Sequence, residues 1–254
     1  MLSRFFSSKE AGRNAAPRVP DGQRVYAIGD IHGRFDLLKD LIGKIDADAG
    51  GQPYLLIFLG DLIDRGPQSA DVVEYCRRLA DERPAGSTRF LLGNHEEVFL
   101  LTLEGDTSAV KLFNRIGGRA TAVSYGVSEP TYDSLDYAEL LQAVSDAVPE
   151  QHARFLSSFE DVVEVGDYAF VHAGVRPGVP LTEQRVSDLR WIRDEFLNHR
   201  KRLDKIIVHG HTISDKVEVL PHRIGIDTGA YASGVLTAMG FEADRNWVLQ
   251  ATDI

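Results

Sequence analysis

A chain of 254 residues, 43% of them hydrophobic, is long enough for one sizeable core. Its 28 basic and 38 acidic residues leave a net charge of −10, which argues against non-specific binding to nucleic acid or to an anionic membrane face. A single cysteine, Cys76, excludes an internal disulfide framework, and no apolar run approaches the ~18 residues of a transmembrane helix, so we read the chain as cytoplasmic.

Residues 1–22 carry Ser7-Ser8, Gly12, Pro17, Pro20 and Gly22 without a sustained period, and are expected to form a flexible tail. A peripheral anchor through Phe5 and Phe6 is the weaker alternative. A strand follows at Arg24–Ile28 and ends in Gly29-Asp30-Ile31-His32-Gly33. Phe35, Leu37, Leu38, Leu41, Ile42 and Ile45 then fall at helical spacing. The apolar run Tyr54–Leu59 reads as a buried strand and ends in Gly60-Asp61-Leu62-Ile63-Asp64-Arg65-Gly66. Pro67 is placed to open a helix through Val72, Val73, Cys76 and Leu79. A third strand, Thr88–Leu92, ends in Gly93-Asn94-His95-Glu96, and Val98 to Leu103 continue as helix. This repetition predicts parallel strands with right-handed crossovers.

Residues 105–160 break the pattern with Gly117-Gly118, Gly126 and Pro130, and read as a mostly helical insert beside the site. Val162–Val165 and Tyr168–Val171 flank Gly166-Asp167, a hairpin signal, and the second run ends in His172-Ala173-Gly174. A helix is expected around Trp191–Leu203, then a strand Lys205–Val208 ending in His209-Gly210-His211-Thr212. Short strands at Val217–Leu220, Arg223–Ile226, Val235–Phe241 and Trp247–Gln250 close the chain.

Five strand ends thus supply Asp30, His32, Asp61, Asn94, His95, His172, His209 and His211. Carboxyl ends of strands are where open α/β sheets place their sites, and so many ligand-type groups at five of them point to a metal centre. The donors are carboxylate, imidazole and amide without thiolate, which suits Mn, Fe or Zn. A carboxylate can bridge two ions about 3.5–4 Å apart, which would activate a water for in-line attack on a phosphoryl group. Arg65 in the same loop can bind two phosphate oxygens. His95 can protonate a leaving alkoxide, and Asp64 can orient its imidazole.

These motifs, GDxHG, GDxxDRG and GNHE in order, resemble the calcineurin-like metallophosphoesterase superfamily in its bacterial phosphoprotein phosphatase branch. Phe170–Gly174, Gly210-His211-Thr212 and Ile226–Ala230 match later segments, so the resemblance runs from about Arg24 to Phe241, nearest to small bacterial and phage enzymes. It implies an α/β metallophosphoesterase fold, a central β-sandwich of mixed sheets flanked by helices, over residues 23–254 as a single domain. It implies two divalent or mixed-valence ions, manganese first. Asp30 and His32 would hold metal 1, Asp61 would bridge, and Asn94, His172 and His211 would complete metal 2. His95 would be the general acid paired with Asp64. Arg65 and, from Trp191-Ile192-Arg193-Asp194, Arg193 would bind the substrate phosphate. Two departures stand out: Leu92 where many relatives have Arg, and Ile213 where the wider superfamily has a second His.

The reading is a metal-dependent serine/threonine protein phosphatase, with tyrosine or dual specificity open, acting on a phosphorylated protein or a small phosphoester. The alternative is a symmetrical bis(5'-nucleosyl)-tetraphosphatase, against which Asp64 and Glu96 weigh, since those enzymes typically carry Ala and Asp there. A non-catalytic, metal-stabilised interaction module is the alternative of another class. The insert is expected to wall the cleft and select substrate through Asn114, Arg115, Arg119 and Tyr125.

Overall fold

The computed structural model describes residues 16–253. Its strands are β1 (Arg24–Ile28), β2 (Leu55–Phe58), β3 (Thr88–Phe90), β4 (Val163–Val165), β5 (Tyr168–Phe170), β6 (Ile206–His209), β7 (Glu218–Val219), β8 (Arg223–Gly225), β9 (Val235–Glu242) and β10 (Arg245–Thr252). They form two five-stranded sheets, ordered β10-β9-β1-β2-β3 and β4-β5-β6-β8-β7. In the first, β1, β2 and β3 run parallel while β9 and β10 return antiparallel. In the second, β5, β6 and β8 are parallel and β4 and β7 antiparallel. Both sheets are therefore mixed, as the resemblance implies.

Side chains alternate across β1, and each parity finds its own partner layer. Val25 and Ala27 face inward with Ile57, Leu59, Tyr168, Phe170, Val208, Ile224 and Phe241, the layer between the sheets. Tyr26 and Ile28 face outward with Leu56 and Phe58 onto Leu38, Leu41, Val72, Val73 and Phe99. Those come from α1 (Phe35–Ala49), α2 (Ser69–Glu82) and α3 (Asn94–Leu103). On the far side, Ala169, Val171 and Ile207 meet Leu189, Ile192 and Phe196. Burial on both faces is why the central strands read as unbroken apolar runs. Each valine, leucine, isoleucine or phenylalanine among them contributes roughly 1.5–3 kcal/mol when fully removed from water.

The segment between α3 and β4 is mostly helical: α4 (Thr107–Ile116), α5 (Gly118–Ser124), α6 (Glu129–Ser134), α7 (Tyr137–Ala147) and α8 (Glu150–Ser157). Asp106, Ser128 and Asp136 cap α4, α6 and α7 by accepting from the N–H groups of the second or third residue of each helix. Among the described residues no helix is long and apolar enough to cross a membrane.

Several boundaries differ from expectation. Of the expected tail, residues 1–15 lie outside the described residues, but Pro17–Val19 packs onto the fold. Val19 is wholly buried and its N–H donates to Ala243 O. The Arg18 N–H donates to Asp167 Oδ2 across the hairpin turn. The helix after Pro67 opens at Ser69. The helix expected over Trp191–Leu203 is instead α9 (Val186–Trp191) and α10 (Asp194–Leu197), separated by Ile192 in an extended conformation. Trp191 Nε1 donates to Glu97, and Arg190 pairs with Glu97 and Asp161, which pins the end of α9 and turns the chain. The last helix is α11 (Ala230–Ser233).

Candidate metal centre

The loops after β1, β2, β3, β5 and β6 meet at one end of the sandwich. Two glycines make the approach possible. Gly60, at φ +99°, would place a Cβ 2.6 Å from Gly93 N. At Gly210 a Cβ would overlap the Asp30 carboxylate, which instead accepts the His211 N–H at 3.0 Å. Among the described residues six non-glycine residues have positive φ, and five of them are His32, Asp61, Asp64, Arg65 and His211. Such backbone costs of order 1–3 kcal/mol per residue and is held only where the surroundings over-determine it. The surroundings here include Glu96, whose buried carboxylate accepts from the N–H groups of Asp61, Leu62 and Gly93 at 2.8, 2.7 and 3.1 Å, and of Ile63 at 3.3 Å.

Two trios of ligand atoms result, His32–Asp61–His95 and Asp61–His172–His211, each with all atoms within 4.8 Å of one another. Asp61 belongs to both. His32 Nε2 lies 3.6 Å from Asp61 Oδ2, and His172 Nε2 lies 3.5 Å from Asp61 Oδ1. Both rings donate Nδ1–H to a backbone carbonyl, of Ile63 and Leu59, each at 2.7 Å. Their Nε2 atoms are therefore bare acceptors aimed inward, the tautomer a metal ligand needs. His32 Nε2 is buried and has no protein partner. His172 Nε2 faces Asn94 Oδ1 at 3.0 Å and His211 Nδ1 at 3.2 Å. Acceptors crowded together with few protons to share fit a pair of cations.

Electrostatics agree. Burial, then the nearby Asp227 and Asp61 carboxylates, pushes Asp30 well above the usual range. Burial pushes Asp227 up to about 6. Burial alone would raise Asp61, but the four imidazoles around it, His172 foremost, hold it below the usual range. Burial lowers His32 to about 3 and lowers His172 as well, so both stay neutral.

Within the first trio, His95 Nδ1 meets Asp64 Oδ2 at 2.7 Å and its Nε2 meets Arg65 Nη2 at 3.1 Å. Burial would lower the His95 pKa, but Asp61 and Asp64 outweigh it and hold it above the ordinary value. The Arg65 guanidinium also lies 4.8 Å over Tyr231, whose ring packs 5.4 Å from that of His32. Arg193 is exposed and donates to Thr212 Oγ1 at 3.2 Å, next to His211. His209 stands outside the trios, packed on Phe196 with Nε2 3.3 Å from Arg223.

Sequence reasoning missed Asp227, Tyr231 and the anchoring role of Glu96. It also missed the insert's real point of entry. Asn114, Arg119 and Tyr125 turn to partners outside the site: Tyr132, Glu129 with Asp133, and His152. The insert reaches the centre instead through Thr121, bonded to Asp64, and through Gly117 O, which accepts the Arg65 N–H.

The model of the family described as calcineurin-like phosphoesterase matches residues 23–252. A bis(5'-nucleosyl)-tetraphosphatase PrpE [asymmetrical] from Anoxybacillus flavithermus is 27% identical over 240 residues, covering 84% of this chain and 89% of that protein. A symmetrical bis(5'-nucleosyl)-tetraphosphatase from Hamiltonella defensa is 45% identical, over 28% of this chain and 23% of its own. Among solved structures, a putative diadenosine tetraphosphatase aligns with TM-score 0.63 at 22% identity, covering 94% of this chain and all of the other. A mutant of a cold-active protein tyrosine phosphatase aligns with TM-score 0.61 at 18% identity, covering 94% and 82%. The two structural matches speak to the fold alone.

Proposed function

The chain belongs to the calcineurin-like phosphoesterase family, and from that premise we propose that it is a serine/threonine protein phosphatase. The family makes it a phosphohydrolase and sets aside the non-catalytic module. In this reading Asp30 and His32 would hold one ion, Asn94, His172 and His211 the other, and Asp61 would be shared between them. Manganese suits these oxygen and imidazole donors, with iron or zinc also compatible. When bound, the ions supply Lewis-acid polarisation of the phosphoryl group and a water acidic enough to attack near neutral pH.

The remaining work falls to side chains. Arg65 Nη2 leaves His95 Nε2 for a phosphate oxygen, and Arg193 supplies a second guanidinium from the Thr212 side. With Arg65 gone from Nε2, His95 takes up a second proton from solvent, favoured by the nearby Asp61 and Asp64 carboxylates, and passes it from Nε2 to the departing alkoxide. Asp64 accepts the Nδ1–H throughout and keeps the ring oriented. The observation that carries this reading is the Asp64–His95 pair, Nδ1 to Oδ2 at 2.7 Å, which favours a doubly protonated ring once Arg65 has turned to the phosphate. A seryl or threonyl alkoxide needs a proton to leave, whereas a nucleotide leaving from an anhydride is already a good leaving group.

A second reading, hydrolysis of a dinucleoside tetraphosphate, is supported by the relative from Anoxybacillus flavithermus, which aligns over 84% of this chain. The deciding experiment compares kcat/KM of the manganese-loaded enzyme for a phosphoserine peptide and for diadenosine tetraphosphate. A preference for the peptide of at least about tenfold, some 1.4 kcal/mol in transition-state stabilisation, is expected; the reverse preference moves the assignment to the tetraphosphate.

A further inference from the structure

Resting on the reading of His95 as proton donor, we propose that Thr121, carried by the helical insert, is a positioning residue that fixes Asp64 and through it His95. Thr121 lies on α5, is wholly buried, and is separated from Asp64 by 57 positions in the chain. Its Oγ1 donates to Asp64 Oδ1 at 2.6 Å and accepts the Asp64 N–H at 2.8 Å. It also meets Ser69 Oγ at 3.0 Å.

A hydroxyl has one proton and two lone pairs. The proton goes to the Asp64 carboxylate, the shorter contact and the charged acceptor. The lone pairs then take the Asp64 N–H and the Ser69 hydroxyl, so all three valences of Oγ1 are used. Ser69 Oγ is within 3.0 Å of the Asp64 N–H too, but the described contacts place no Ser69 bond on the carboxylate.

The consequence lies in how the carboxylate is held. With Oδ1 bound by Thr121, only Oδ2 is left for His95 Nδ1, and the carboxylate plane is fixed about its terminal torsion, which is otherwise broad. Asp64 sits at φ 71° and Arg65 at φ 67°, so their loop needs external support. The insert supplies it twice, through Thr121 and through Gly117 O on the Arg65 N–H at 3.2 Å. The insert thus acts on the reaction through the acid side of the site.

The experiment measures kcat on phenyl phosphate, whose leaving group needs a proton, and on p-nitrophenyl phosphate, whose leaving group does not. Thr121→Val keeps the volume and removes the hydroxyl. It is expected to lower kcat on phenyl phosphate by about ten- to a hundredfold more than on p-nitrophenyl phosphate, the scale of a misplaced catalytic group, with metal content unchanged. Thr121→Ser is expected to restore the ratio. Equal losses on both substrates, which a packing role would give, or no loss on either, overturn the proposal. If Thr121→Val does not fold, Thr121→Cys, with its weak S–H donor, reads the same ratio. His95→Asn is the control. If it leaves the ratio unchanged, the reading of His95 as acid fails and this proposal with it; a changed ratio in His95→Asn beside an unchanged one in Thr121→Val overturns only the role of Thr121.

Discussion

Glu96→Asp removes a single methylene from the residue that anchors the catalytic loop. The Glu96 carboxylate reaches from the first turn of α3 to the N–H groups of Asp61, Leu62, Ile63 and Gly93 over 2.7–3.3 Å. Shortening the side chain by one C–C bond, about 1.5 Å, stretches these contacts past hydrogen-bonding range unless the loop follows. The loop is poorly placed to follow, because Gly60 already abuts Gly93 and His172, and Asp61 is held at φ 51°. Burial and the Asp61 charge push the Glu96 pKa up to about 8, and each buried N–H left without its acceptor costs about 1–3 kcal/mol whichever form the acid takes. Losing two of the four, with partial relaxation of the others, gives a cost of about 3–5 kcal/mol, a large share of the 5–15 kcal/mol typical of a domain. The assay is urea denaturation of wild type and variant in EDTA, repeated with manganese. A fall in unfolding free energy of about 3 kcal/mol or more in EDTA, at unchanged m-value, is expected. A change below about 1 kcal/mol would show that the loop re-forms around the shorter carboxylate and refute the reasoning.

Asp61→Asn is expected to lose metal and activity together, since Asp61 is shared by both ligand trios; elemental analysis finding two ions per chain would contradict this. Saturating metal at about a hundred times its dissociation constant should raise unfolding free energy by roughly 2.7 kcal/mol, read as a concentration-dependent Tm; an unchanged Tm would argue that the centre binds no ion. Arg119→Ala should leave the ratio of kcat/KM for peptide and p-nitrophenyl phosphate within about twofold, because Arg119 is held by Glu129 and Asp133 on an exposed face where ion pairs contribute little. A selective loss on peptides would restore the view that this face reads substrate. The buried Cys76 thiol, its pKa raised by burial, should resist a thiol reagent in native protein and react fully in urea; prompt native labelling would show that α2 opens locally.

The strands and their terminal motifs were legible because their signals are local. A strand buried on both faces writes an apolar run, and a site built at strand ends writes its ligands directly after each run. What escaped is what depends on distant partners. Val19 looks like any loop valine until the hairpin at Asp167 is in place beside it. The break at Ile192 follows from Trp191 and Arg190 reaching across to Glu97 on α3. Asn114, Arg119 and Tyr125 look available for substrate, yet partners elsewhere in the insert, on α6 and α8, engage their polar groups. Thr121 carries no local mark at all, since only the fold brings it to Asp64.

The position of β1 has a consequence for biosynthesis. It pairs with β2 soon after emerging from the ribosome, but its other edge stays open until β9 is made, when Val25 meets Phe241. His211, on the loop after β6, also arrives late. A nascent chain halted before Val235 therefore holds the polar strand ends while one edge of the apolar β1 stays unpaired, a template for aggregation that β9 covers. Termination before Val235 should leave a species that chaperones retain, with the β9 edge of β1 uncovered.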